Sequence, residues 1–408
     1  MKRKRLIVSR LTTLLAIAIM IAEPNLIVAS GQDDWLNASD SDWVSSTRWL
    51  LNNTPAPGID IFDYTAPGKG EKYPYPSTDA AYGVMSWWDY GQLIGIIGHR
   101  IPNSGLFPYG VGNVTAGVPG ASPFFLAETE AQADQILADL DKKRSYYMNT
   151  KYVMIDWDMA TGKFYAMTAY SGIPITKYYG FFYQPQGDKL VPARVYRSPF
   201  FKTMIARLFF FDGSEVPVTD AFAVAYQIVE QDGMKFPVIV ESPKKSKDYS
   251  ELMKYVNESQ SKGYLSEVVG KSDPTSLTPS VPLEALQHYR LVHESESVVT
   301  YDGQKFVKTF EHVPGAVIKG KASPGTNVTI AVPVVTNQER VFMYRQSNLT
   351  DSRGEFTLVV PYSTEGPMEG GTKFDTVAVG PYQLSVGGRD YVVKVPEELV
   401  ISGGIIQV

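Results

Sequence analysis

Trp87, Trp88 and Asp89 place two indoles next to a carboxylate, followed by Tyr90 and Gly91. Each indole offers one N–H donor and no acceptor, and an ionised carboxylate offers only acceptors. A hydroxyl both donates and accepts, so this trio has the groups needed to surround one completely. The large apolar rings can also wall off a methyl group. These residues therefore suit a pocket for a Ser or Thr side chain. They also suit a second role, in which the tryptophans fill a core and Asp89 caps a helix.

Asp156, Met159, Lys163 and Met167 form a second set. On its own it is compatible with an ion-paired surface turn over a methionine-filled core. Other chemistries find little support. There is no cysteine, which excludes disulfides, thiolate metal sites and cysteine nucleophiles. His99, His288, His293 and His312 are too scattered in sequence to suggest a metal site, so structural roles are expected for them. No nucleophile elbow or phosphate-binding glycine loop is present. The net charge of −5 gives no general basic surface, so no nucleic-acid partner is expected.

The elements that must position these residues are partly readable. A length of 408 residues allows about two or three domains. The stretch 33–53 reads as a helix burying Trp35, Val44, Trp49, Leu50 and Leu51, stopped by the Pro- and Gly-rich 53–58. Residues 64–80 read as an exposed loop. A short helix is expected from Ser86 or the Trp pair to Ile97, and 102–123 reads mostly as loop. The stretch 128–144 has a capping box at Thr129 and Gln132, with Ala133, Ile136, Leu137 and Leu140 at helical spacing and Lys142, Lys143 and Arg144 at its end. Residues 151–156 predict a buried strand, 164–170 its strand neighbour, and 198–211 a helix. The polar 243–280 predicts a solvated helix-and-loop excursion. After about 297 the pattern changes to short β-type runs with turn signals, and 320–327 reads as a hairpin connection. The expected fold class is α+β: a mixed α/β core over 31–297 carrying WWDYG, then a β-sandwich-like domain over 298–408.

The N-terminus combines Lys2, Arg3, Lys4 and Arg5 with the short apolar run 11–22 and the small residues Ala29 and Ser30. This predicts a signal peptide or a single membrane anchor over 1–30, since a spanning helix needs about 20 apolar residues. The rest is expected outside the cell, at the outer face of the membrane, anchored or secreted.

The WWDYG pentapeptide resembles the signature of oligosaccharyltransferase catalytic subunits, the enzymes of protein N-glycosylation. The stretch DWDMATGKFYAM, 156–167, is similar to the Asp/Lys motif of the archaeal members throughout. Trp49-Leu50 with Asn53-Thr54-Pro55, the stretch 99–105 and the stretch 288–295 also look like archaeal oligosaccharyltransferase sequence, so the resemblance covers about 31–408. It implies that Trp87, Trp88 and Asp89 bind the hydroxyl of the acceptor sequon Asn-x-Ser/Thr. Met159 and Lys163 would complete the pocket, with Tyr90, Gly91, Asp156 and Met167 in support. A lysine beside Asp89 would keep that carboxylate ionised and oriented, and Asp156 could position the lysine in turn. Complete members of the family carry their catalytic metal, Mg or Mn, and their lipid-linked oligosaccharide site in a multi-helix membrane part. In 1–30 the only acidic residue is Glu23, so no metal ligands and no catalytic residue are expected in this chain. The resemblance thus implies sequon recognition in partnership with a membrane half. The alternative is a non-catalytic extracellular peptide-binding relative.

Overall fold

The computed structural model describes residues 32–58, 80–105, 109–142, 149–187, 189–231 and 233–408, with side chains from residue 40 onward. The segment 1–30, residues 64–79 of the loop expected over 64–80, the side chain of Trp35, and Lys143 and Arg144 lie outside these residues. No helix among the described residues is long and apolar enough to cross a membrane.

The architecture is α+β. Among the described residues, a five-stranded sheet organises the core, in the order Tyr289–Glu294, Val307–His312, Thr150–Asp156, Gly83–Met85, Ile101–Pro102. The last three strands run parallel, and the short helix Gly91–Ile96 carries the chain from Gly83–Met85 to Ile101–Pro102. The first three pair antiparallel. Thr150–Asp156 is central and almost wholly buried, consistent with its uninterrupted apolar run. The helices Gln32–Asn53, Ala121–Leu126, Glu130–Lys142 and Met204–Phe211 contribute to the same hydrophobic core.

Glu130–Lys142 starts close to its expected position. Thr129 Oγ1 accepts from the Gln132 backbone N–H at 3.2 Å, and Gln132 Oε1 accepts from the Glu128 N–H at 3.1 Å. This is a capping box displaced by one residue on its return bond. The stretch 164–170 is a helix, Phe164–Tyr170, and not the expected strand. The helix expected over 198–211 is two short ones, Ser198–Lys202 and Met204–Phe211, separated at Thr203, whose hydroxyl caps the second.

Between these elements lies a six-stranded sheet built from residues 179–271, with the helix Tyr249–Ser261 against it and its own small apolar clusters. The expected excursion over 243–280 therefore contains a paired strand, Leu265–Lys271. The C-terminal part packs two sheets about a separate core. Ala316–Lys321, Glu355–Val360 and Ile405–Gln407 form one, and Asn327–Val335, Val341–Leu349, Tyr382–Val386 and Arg389–Val393 lie in the other. Alternating burial along Asn327–Val335 shows the sandwich pattern. Residues 320–327 cross between the sheets, since the strands they join pair with other partners; they do not close a hairpin. Val307–His312 belongs to the central sheet, so the sandwich core begins at Val313 and Ala316 in this stretch.

Candidate functional site

The signature follows directly from the strand Gly83–Met85. Trp87 is still extended, with φ −70° and ψ 148°, before a 3₁₀ turn at Trp88–Tyr90 leads into Gly91–Ile96. The turn is braced by the loop after Ile101–Pro102: the Asn103 N–H donates to Val84 O at 2.9 Å, and Ser104 Oγ donates to Ser86 O at 2.6 Å. Gly91 lies so close to this loop that a Cβ there would sit 2.3 Å from Ser104 O.

The Asp/Lys stretch follows from the neighbouring strand Thr150–Asp156. Asp156 caps the short helix Trp157–Ala160, with Oδ1 accepting from the Met159 N–H at 2.7 Å. The chain then turns, the Lys163 N–H donating to Asp158 O at 2.7 Å, and enters the helix Phe164–Tyr170. Because the two strands are parallel neighbours, both motifs leave the sheet at the same end.

There they meet. Lys163 Nζ lies 2.8 Å from Asp89 Oδ2, donates to the Tyr90 hydroxyl at 2.6 Å and sits 4.1 Å from the centre of the Tyr90 ring. Lys163 and Asp89 each keep more than a quarter of their side chains exposed. Burial, and behind it the Asp156 carboxylate, push the Tyr90 phenol well above its ordinary range. Tyr90 therefore stays a neutral hydroxyl, accepting from Lys163 with its own proton free to face Asp156. Asp156 is fully buried, and desolvation together with the Asp158 charge raises its carboxyl to about 6, against the opposing pull of Lys163. Its two oxygens are occupied by Met159 N–H and by Trp43 Nε1 at 2.8 Å, so it positions Met159 and Trp43 more directly than Lys163.

The remaining residues are less exposed than a solvent-facing pocket requires. Trp87 is only 1% exposed and packs edge-on against Tyr170 at 5.8 Å. Met159 is buried, with its sulfur accepting from Ser86 Oγ at 3.9 Å. Met167 is buried within the core. Trp88 is half-buried and Asp89 exposed, so the accessible face consists of Trp88, Asp89 and Lys163. Trp88 carries an indole N–H donor and Asp89, at Oδ1, a carboxylate acceptor, on adjacent residues. Lys163 holds the other Asp89 oxygen, and a cation in that position disfavours the carboxylate as a metal ligand.

Sequence reasoning missed Trp43. It stacks on Tyr90 with ring centroids 3.8 Å apart and 12° between planes while donating to Asp156. It is buried where Val44 was expected to be, and Val44 is half-buried. A separation of 113 residues leaves no local signal for that contact. Nor did the spacing of the histidines reveal that His288 and His312 approach each other, with ring centroids 6.3 Å apart.

Family models match two parts of the chain: the AglB core domain over 40–160, and the archaeal glycosylation protein B long peripheral domain over 315–406. Dolichyl-phosphooligosaccharide-protein glycotransferase 3 of Archaeoglobus fulgidus is 31% identical over 99% of this chain and 46% of its own length. Dolichyl-monophosphooligosaccharide-protein glycotransferase AglB of Haloferax volcanii is 30% identical over 90% of this chain and 38% of its own length. The chain therefore spans less than half the length of these relatives. A crystal structure of the Archaeoglobus fulgidus oligosaccharyltransferase, tethered by a disulfide bond to an acceptor peptide containing the NVT sequon, shares the fold. It has a TM-score of 0.58 and 24% identity over 98% of this chain and 47% of the other. By motif, family model and relatives alike, this chain belongs to the archaeal oligosaccharyltransferase family.

Proposed function

We propose that this chain recognises the acceptor sequon Asn-x-Ser/Thr in protein N-glycosylation. Trp88, Asp89 and Lys163 form the face that meets the Ser or Thr hydroxyl, with the buried Trp87 and Met159 packed beneath it. The observation that carries this reading is the 2.8 Å contact of Lys163 with Asp89, which brings two motifs 74 positions apart together at one polar site. The Trp88 N–H and Asp89 Oδ1 supply the donor and acceptor that a hydroxyl needs. Glycan transfer falls to a membrane half facing the outside of the cell, which supplies a divalent metal and the lipid-linked oligosaccharide. No catalytic step is assigned to Asp89, whose part is binding.

The test is calorimetric titration with short Asn-x-Thr and Asn-x-Ala peptides. The threonine peptide is expected to bind more tightly by about 1.5–3 kcal/mol, the range for a hydrogen bond to a charged group. The preference should vanish in Asp89→Ala. Equal binding of the two peptides to the unaltered chain would sink the proposal.

A further inference from the structure

A second group of titratable side chains converges at the far edge of the central sheet. Glu130 and Asp134 stand one turn apart on the helix Glu130–Lys142, so their carboxylates share a face. His288 precedes the strand Tyr289–Glu294, and His312 ends the strand beside it, in register with Tyr289. One ligand-capable atom from each of Glu130, Asp134 and His288 lies within 4.8 Å of the others. His312 Nε2 is 3.5 Å from Asp134 Oδ1.

The surroundings hold these groups in place. His288 Nδ1 lies 3.0 Å from Pro314 O and 3.2 Å from Val313 O. A carbonyl oxygen only accepts, so Nδ1 carries the proton in the neutral ring and Nε2 keeps its lone pair. A backbone carbonyl on the far nitrogen is also how metal-bound imidazoles are commonly oriented. Asp134 Oδ1 accepts from the Tyr289 hydroxyl at 2.9 Å. Glu130 accepts from the Gln287 and His288 N–H groups at 2.8–2.9 Å. Glu130, Asp134 and His288 all line an open cavity of about 490 Å³, so an ion can reach them from solvent.

We propose that Glu130, Asp134 and His288 bind a divalent cation of the zinc class, with His312 beside Asp134 at the margin of the set. Mixed imidazole and carboxylate donors favour zinc-like ions, whereas Mg²⁺ and Ca²⁺ prefer oxygen alone. The ligands come from a helix and from the edge of the sheet, so the ion's role is structural. It joins the helix Glu130–Lys142 to the sheet edge where the chain passes into the sandwich at Pro314.

The experiment is titration of the chelator-treated 408-residue chain with Zn²⁺, followed by calorimetry and by thermal unfolding. One equivalent is expected to bind and to raise the melting temperature. Asp134→Asn and His288→Ala should each weaken binding by about 100-fold or more. Tyr289→Phe keeps every ligand but removes the donor to Asp134, and should weaken it by about tenfold. His99→Asn, elsewhere in the chain, should leave it unchanged. Should a ligand variant fail to fold, Tyr289→Phe against His99→Asn still decides the matter. No zinc binding, or binding of equal strength in all variants, overturns the proposal.

Discussion

Tyr90 shows how much of the site depends on single side chains. One face of its ring carries Trp43, and Lys163 Nζ also lies against the ring; its hydroxyl connects Lys163 to the region of Asp156. The pairing of Asp89 with Lys163 was readable once the two motifs were taken together, since an acid and a base near one pocket are expected to pair. The Asp156 environment was not, because its burial depends on Trp43 arriving from a distant helix. That burial has a measurable consequence. The folded-state value of about 6 lies above the unfolded carboxylate value of about 3.9. A group raised in this way contributes stability that is complete below the unfolded value and is lost as the pH rises through the folded value. Asp156→Asn keeps an oxygen for the Met159 N–H but cannot titrate. The wild type should therefore gain stability relative to Asp156→Asn by up to about 3 kcal/mol between pH 7 and pH 4. Denaturant melts of both proteins at several pH values test this, and a flat difference would show that the carboxyl is not buried unpaid.

At the scale of elements, the site rests on how closely the signature helix approaches the loop behind it. Gly91 has φ −56° and ψ −34°, ordinary helical values that any residue can adopt. Glycine is needed there because a Cβ would lie 2.3 Å from Ser104 O and 2.6 Å from Gly105 Cα. Both are backbone atoms, which cannot turn aside as a side chain would. Gly91→Ala should thus destabilise the chain by about 1–3 kcal/mol and weaken sequon-peptide binding together with it. Chemical denaturation and peptide titration on the same variant measure both, and unchanged stability would mean the loop yields freely. Element identity was legible where one period dominated, as in Glu130–Lys142 and Thr150–Asp156. It failed at Phe164–Tyr170, where the aromatic residues Phe164, Tyr165 and Tyr170 suit a strand as well. The buried positions Phe164, Met167 and Thr168 nevertheless follow helical spacing, and Tyr165 and Tyr170 face outward. The six-stranded sheet was missed because strands such as Lys189–Arg197 are exposed over most of their length and carry no alternation to read.

At the scale of the whole molecule, buried ion pairs connect the central sheet to the sandwich. Arg290, on a central strand and 2% exposed, pairs with Glu311 at 2.6 Å and with Glu397 of the helix Glu397–Ser402 at 2.7 Å. Nearby, Asp212 accepts from Lys308 at 2.6 Å and from Arg340 at 2.7 Å, and Arg340 also bridges to Glu294. None of this was legible in the sequence, because each partner comes from a different element and ordinary surface charges look the same in a string of letters. Buried pairs add little net stability over apolar packing, but removing one member leaves an uncompensated charge and costs about 3–5 kcal/mol. Glu397→Ala leaves Arg290 with the Glu311 carboxylate alone among its two ion-pair partners. The penalty falls on a residue of the central sheet although the substitution lies in the sandwich. If the two cores depend on this junction, the variant should lose about that much stability, and far-UV and near-UV melts should still coincide in one transition. Two separated transitions, with the central core melting as in the wild type, would show that the sandwich is independent of the part that carries WWDYG.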